Sequence, residues 1–309
     1  MSSKRIEYEF TSSNGINTVR GVKYIPEDIK GVLVISHGMV EHYGRYENFM
    51  GYMADNGYAV YMHDHIGHLH SVDNDEQLGF FGSKEGYKVL LRDIKKTVDI
   101  AREENPGKKL VLLGHSMGSF YARVYPTYYP GTVDGLIISG TGGPNKAAGM
   151  GKALIAVMSK FKGEKYRSTM IRNMTFKGYL SRIENPRTPS DWITRDEAIV
   201  DRYVVDPGCT FTFTLAGYRD LMDILQIANS EETYRKTDKA LPIYIFSGSE
   251  DPVGGFGLGV MEVFENYKSG GFENVKVKIY PEGRHEMLNE LNRSEVYGDV
   301  LSWMDSVCI

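Results

Sequence analysis

The run Lys109-Leu-Val-Leu-Leu-Gly114-His-Ser116-Met-Gly118 decides the fold. Lys109 to Leu113 reads as a buried strand, and Ser119 to Tyr129 as the helix that follows it. Between them stands a G-x-S-x-G sequence. At a sharp strand-to-helix turn the crowded backbone leaves no room for a Cβ on either side, and the serine hydroxyl is held out above a sheet. The five letters alone are weak, because a glycine-rich turn with a buried serine spells the same thing. The strand before them and the helix after them favour an exposed nucleophile.

Working outward, short apolar runs alternate with helix-period stretches, the pattern of a mostly parallel α/β sheet. The expected strands are Gly31 to Ser36, Tyr58 to Met62, Lys109 to Leu113, Leu136 to Ser139, Ile243 to Phe246 and Val275 to Ile279. Glu7 to Phe10 and Thr18 to Tyr24 read as an antiparallel hairpin across Ser13-Asn14-Gly15. Ser83 to Glu104 carries Tyr87, Leu91, Ile94, Val98 and Ala101 on one helical face and stops at Asn105-Pro106-Gly107. The alternation breaks after Gly140 and resumes at Leu241, so residues 1–140 and 235–309 form the expected core and 141–234 a helical insertion, or lid. Within it, Thr194-Arg-Asp-Glu197 fits a capping box for a helix over Ala198 to Val205.

Composition narrows the function classes. The chain has 309 residues, 41% hydrophobic and 25% charged, as soluble globular proteins do. A net charge of −4 gives no footprint for nucleic acid. No apolar run reaches a membrane-spanning length, and the first ten residues lack the apolar stretch of a secretory signal. Cys209 and Cys308, far apart in sequence, fit a reducing compartment, so a cytoplasmic protein is expected. Charge is uneven: residues 141–230 hold 13 Lys and Arg against 9 Asp and Glu, a net +4.

A serine hydroxyl needs a base to take its proton. His285 follows the last expected strand, where a loop returns to the strand tips, and Asp251 follows the strand before it. Ser116, Asp251 and His285 stand in the chain order expected of this fold, with Glu250 the competitor for the acid. The tetrahedral intermediate needs two N–H donors. Met117, directly after the nucleophile, supplies one; Met39, beyond Gly38 in the loop after Gly31 to Ser36, is the candidate for the other.

Here a resemblance becomes specific. His37-Gly-Met-Val-Glu41-His42-Tyr-Gly-Arg45-Tyr46 resembles the H-G-x-x-E-H-x-x-R-Y signature of the monoacylglycerol lipase and lysophospholipase branch of the α/β-hydrolases. Asp64-His-Ile-Gly67-His68, Gly114-His-Ser-Met-Gly118, Asp191-Trp-Ile-Thr-Arg-Asp196, Tyr203 to Cys209 and Arg284 to Glu290 resemble further segments of that branch. The resemblance implies a mostly parallel eight-stranded sheet with helices on both faces, a helical cap, and hydrolysis of acyl esters without a cofactor. It gives Ser116, Asp251 and His285 as the triad, with Met39 and Met117 at the oxyanion hole. One departure stands out: Leu69 and His70 follow Gly67-His68 where the branch has Gly.

Four histidines in His63 to His70 have the look of a metal cluster, but the segment fits the branch's Asp-x-x-Gly-His loop, and no metal is expected. His285-Glu-Met-Leu-Asn289 misses H-E-x-x-H, and no phosphate-binding Gly-rich loop with its Lys is present. The insertion's Leu, Ile, Met and Phe residues suit an acyl tunnel or plain packing of the lid. Three readings follow: a serine esterase for monoacylglycerol or lysophospholipid, with transient contact between lid and membrane surface; an esterase for short or aromatic acyl esters; and a non-catalytic ligand-binding scaffold on the same fold.

Overall fold

The computed structural model describes residues 3–145 and 148–309. Eight strands form one sheet: β1 (Lys4–Thr11), β2 (Thr18–Ile25), β3 (Gly31–Ser36), β4 (Tyr58–His63), β5 (Leu110–His115), β6 (Gly135–Ser139), β7 (Ile243–Gly248) and β8 (Val275–Tyr280). Their spatial order is β1-β2-β4-β3-β5-β6-β7-β8. β1 pairs antiparallel with β2 and β2 with β4, while every pair from β4 to β8 is parallel. β3 to β7 had to be legible: buried at every residue, they read as largely apolar runs, whereas the edge strand β8, with Lys276 and Lys278, is only partly buried.

Two apolar layers flank the sheet. Val34, Leu112, Ile138 and Ile245 face α2 (Gly86–Glu104), α3 (Met117–Tyr128) and α9 (Leu258–Ser269). Their neighbours Ile35, Leu113, Ile137 and Phe246 face α1 (Glu47–Asp55) and α10 (Arg293–Cys308). The hairpin is pinned to α2 by the buried Asp93, which accepts from Ser12 Oγ at 2.6 Å and from Ser13 N at 2.6 Å. Among the described residues no helix is long and apolar enough to cross a membrane.

Between β6 and β7 lie α4 (Ala148–Lys162), α5 (Thr169–Thr175), α6 (Glu197–Val205), α7 (Leu215–Ala228) and α8 (Glu231–Lys236). α7 packs on α2 and α3, and α4 packs on α7. Lys146 and Ala147, within the expected insertion, lie outside the described residues. The capping box expected at Thr194 is not the one that forms. Asp196 is the N-cap of α6, accepting from Ala198 N and Ile199 N. Thr194 Oγ1 instead donates to Asn289 O at 3.1 Å and accepts from Asp196 N at 3.1 Å. A carboxylate one residue before the helix reaches the free N–H groups directly, leaving the threonine to bond elsewhere.

Asp196→Ala is expected to lower the unfolding free energy by about 1 kcal/mol, the usual worth of an N-cap, in urea titrations. Glu197→Ala, which would break the box expected from the sequence, should stay within about 0.5 kcal/mol of the parent.

Candidate active site

Ser116 joins β5 to α3 with φ 53° and ψ −119°, a backbone conformation that side-chain-bearing residues rarely adopt. The neighbouring glycines are there for space. A Cβ on Gly114 would stand 2.2 Å from Gly118 O, and one on Gly118 would stand 2.0 Å from Ser36 O. A third close approach brings in the loop after β3: a Cβ on Gly38 would stand 2.9 Å from Ser116 Cβ.

That loop is held by His37. His37 Nε2 accepts from His65 N at 2.9 Å, so the ring proton is on Nδ1, which donates to Gly38 O at 2.7 Å. Across a trans peptide the carbonyl and the next N–H point in opposite directions. Turning Gly38 O onto His37 therefore aims Met39 N–H away from it. Met117 is the first residue of α3, where N–H groups lack an intrahelical acceptor. Met39, Met117, Ser116 and His285 all line one cavity of about 450 Å³.

His285 Nδ1 lies 2.9 Å from Asp251 Oδ1 and 3.0 Å from Oδ2. Asp251 is fully buried, and its oxygens also accept from Ser247 Oγ at 2.7 Å and Val253 N at 2.9 Å. Glu250 points elsewhere, forming a partly exposed ion pair with Arg182 at 3.5 Å. With Nδ1–H given to Asp251, His285 Nε2 is left free to accept a proton. Burial alone would depress the imidazolium; the charge and hydrogen bond of Asp251, helped by Glu286 and Glu41, outweigh it and raise the pKa above a histidine's ordinary value.

Several residues at the site were quoted from the sequence without a role, or not at all. Arg45 pairs with Glu286, lies 3.8 Å from Glu41 and stacks its guanidinium 4.5 Å over the Tyr203 ring. Glu41 also accepts from Gly38 N and, at 2.8 Å, from Tyr46 OH. Burial and the nearby Glu286 push the Glu41 carboxyl up to about 7. The i, i+4 spacing of Glu41 and Arg45 was the available signal. Trp192, from the segment between α5 and α6, packs its ring 5.1 Å from His285; its signal was the resemblance of Asp191 to Asp196, which gave it no role. Its segment is sewn to the histidine loop: Trp192 O accepts from His285 N, Ile193 O from Glu286 N, and Asp191 O from Arg284 NH1. Buried Glu290 accepts from both Arg195 N and Arg284 N, each at 3.0 Å.

Most of the histidine-rich run is packed into the interior. His63, His65 and His68 are buried, with pKa values held low by desolvation, and His68 stacks on Phe81. Leu69 and His70 lie outside the cavity lining, with Leu69 against Gly208. Among the described residues His42, Asp206 and Cys209 bring three donor atoms within 4.8 Å of one another. Gly44 N donates to His42 Nδ1 at 3.2 Å, so Nε2 carries the proton facing Asp206 Oδ2 at 2.9 Å. Burial keeps Cys209 a neutral thiol, and Arg45 NH1 lies 3.8 Å from its sulfur. A cation there would displace two protons and sit beside a guanidinium, so these residues do not suit a metal.

A strained serine after β5, a histidine after β8 and a buried aspartate after β7, at the tips of such a sheet, define an α/β-hydrolase. The chain belongs to the serine aminopeptidase S33 family, whose pattern matches residues 27–292. It is 29% identical to a monoacylglycerol lipase of Mycolicibacterium smegmatis over 99% of both chains. A monoglyceride lipase of Mus musculus is 27% identical over 89% of this chain and 82% of its own. The crystal structure of a thermostable carboxyl esterase from Bacillus coagulans, in complex with glycerol, superposes with a TM-score of 0.93 at 29% identity, covering 100% of both chains.

Activity should fall on the acid side as His285 gains a proton. Because its pKa is raised, the midpoint of the kcat/KM limb is expected above pH ~6.5, the ordinary histidine value. A midpoint below pH 6 would refute the raised imidazolium. Asp251→Asn should lower kcat by about 10⁴, while Glu250→Gln changes it less than about threefold; the reverse ranking would move the acid to Glu250.

Proposed function

We propose that this protein hydrolyses carboxylic esters of monoacyl lipids, monoacylglycerols first among them, through an acyl-enzyme on Ser116. The observation that carries the reading is a single cavity lined by both apolar and polar side chains. One wall is apolar, built by Phe120 with Ile171, Met174, Leu221, Met222 and Leu225 of the segment 141–234, which we read as a cap. The same lining presents Glu41, Glu286 and Tyr203, a polar group beside His285. An amphiphile with an acyl chain at one end and hydroxyls at the other fits both.

In this mechanism His285 Nε2 takes the Ser116 Oγ proton as the oxygen attacks the ester carbonyl. The carbonyl oxygen becomes an oxyanion facing the N–H groups of Met39 and Met117, which supply hydrogen bonds that strengthen as charge develops. Protonated His285 then gives its proton to the leaving alcohol. Water repeats the sequence and releases the fatty acid. Asp251 fixes the histidine tautomer and stabilises the transient imidazolium without taking a proton.

The polar group favours a neutral polyol over a phosphate ester. An anionic headgroup would meet two carboxylates against one guanidinium, whereas Glu41, with its pKa near 7, can both donate to and accept from hydroxyls. The names of the relatives support the same substrate class. On the outer face of the cap, Met150, Val157 and Phe161 are exposed, and with the net +4 of residues 141–230 they suit contact with a lipid surface.

Ser116→Ala should keep the fold and lower kcat by about 10⁴ to 10⁶, measured on a p-nitrophenyl ester. From acetate to octanoate, kcat/KM should rise by up to about fourfold per methylene, each worth about 0.8 kcal/mol when buried. A monoacylglycerol should be preferred to a lysophospholipid of the same chain. A steady decline toward octanoate would sink the lipid reading in favour of a short-chain esterase, with the serine chemistry intact.

A further inference from the structure

Arg123 lies on α3, about two turns beyond Ser116, and is fully buried. Its NH1 donates to Thr141 Oγ1 at 3.3 Å and to Gly142 O at 3.2 Å. Its NH2 donates to Ala228 O at 2.7 Å, Asn229 Oδ1 at 2.8 Å and Tyr234 OH at 2.8 Å. Thr141 and Gly142 leave the sheet just after β6. Ala228, Asn229 and Tyr234 end α7 and lie in α8, where the chain turns back toward β7. One guanidinium thus grips both roots of the segment that runs between the two strands. Asn229 Nδ2 ties the roots to each other as well, donating to Gly142 O at 3.4 Å.

A fully buried cation is ordinarily matched by a carboxylate. Among the described residues Arg123 has none: its partners are carbonyls, an amide oxygen and hydroxyls, and its Nε has no hydrogen-bond partner. Helix α3 packs on its neighbours through Phe120, Tyr121, Val124 and Tyr125, which would bury the same face beside an apolar residue at 123. A desolvated, incompletely satisfied guanidinium has a use where several separate chain segments must be brought to one point. A planar fork with five donors does this, and a point-charge ammonium does it less well.

We propose that Arg123 is a positioning residue that fixes both roots of the insertion to the helix carrying Ser116 and so sets the apolar wall of the cavity. The link to that wall is direct. Phe120, one turn before Arg123, Gly142 from the first root and Leu225, one turn before the second, all line the cavity. If the roots drift, a long acyl chain loses its contacts while Ser116, Asp251 and His285, held by β5, β7 and β8, keep theirs. A short acyl chain, which ends near Ser116, does not reach the affected wall. The cavity part of this proposal rests on reading the wall as an acyl site; the clamp itself does not.

The test compares Arg123→Met and Arg123→Lys with the parent on p-nitrophenyl butyrate and octanoate, together with amide hydrogen exchange. For Arg123→Met, kcat/KM on octanoate should fall about tenfold, mainly through KM, and on butyrate by less than about threefold. The acid limb of the pH profile should not move, and exchange should quicken at both 141–145 and 226–234. Arg123→Lys should recover part of the octanoate loss. An equal fall on both esters, or faster exchange at one root only or throughout the chain, would overturn the proposal. If Arg123→Met does not fold, Tyr234→Phe and Asn229→Ala each remove one acceptor. A smaller shift in the same octanoate-to-butyrate ratio supports the clamp, and an unchanged ratio refutes it. If the parent enzyme shows no gain from butyrate to octanoate, the acyl reading fails by itself, and exchange at the two roots alone decides the clamp.

Discussion

At the tips of β3 and β5 the backbone of Gly118 stands so close to the Ser36 carbonyl that no side chain fits between them. That contact sets the origin of the site. It presses the start of α3 against the end of β3, so the chain leaving β5 must turn sharply, and Ser116 takes the strained conformation at the apex. The same approach brings the loop after β3 to the serine, with Gly38 against its Cβ. The proposed nucleophile and both candidate oxyanion donors are therefore placed by backbone packing among three glycines, and side-chain choice is left to tune the chemistry.

The tuning is electrostatic. Two buried carboxylates, Glu41 and Glu286, share one guanidinium, and the surplus negative charge lies within reach of His285. It adds to Asp251 in favouring the imidazolium, the form that the proposed mechanism passes through. The cost appears on Glu41, whose carboxyl is driven up toward neutrality and left with one oxygen without a hydrogen-bond partner. Such an arrangement would be poor for stability alone, since burying like charges is unfavourable. It makes sense at a place where charge must appear and vanish.

Much of the sheet was legible because β3 to β7 are buried at every residue and spell largely apolar runs; β8 showed itself by β-branched residues alternating with lysine. β1 was seen only in part: six of its eight residues are exposed, and Lys4 to Ile6 carry no hydrophobic alternation strong enough to extend it. Ser116, Asp251 and His285 came forward from chain order and loop position. Trp192 and Tyr203 were marked only by resemblance and without a role, because they come from the stretch between β6 and β7, whose contacts no local periodicity announces. The cap at Asp196 was missed for a related reason. The Thr-x-x-Glu spacing fits a local rule, but Thr194 is claimed by the carbonyl of Asn289, nearly a hundred residues away, and a local rule cannot see that competitor.

The stitching of Asp191 to Arg195 onto Arg284 to Glu290 bears on how such enzymes can change. An inserted segment is commonly treated as a removable module, exchanged between relatives to alter what enters the site. Here part of the insertion is the wall against which the histidine loop is moulded, and Glu290 holds backbone from both sides at once. A foreign insertion spliced in at the two strand ends would bring its own version of that wall and leave Glu290 with half its partners. Exchange between relatives would therefore succeed only when the strip from 191 to 195 travels with the histidine loop, as one inherited unit split across the sequence. In this chain the boundary between what selects a substrate and what cleaves it would not coincide with the ends of the stretch between β6 and β7.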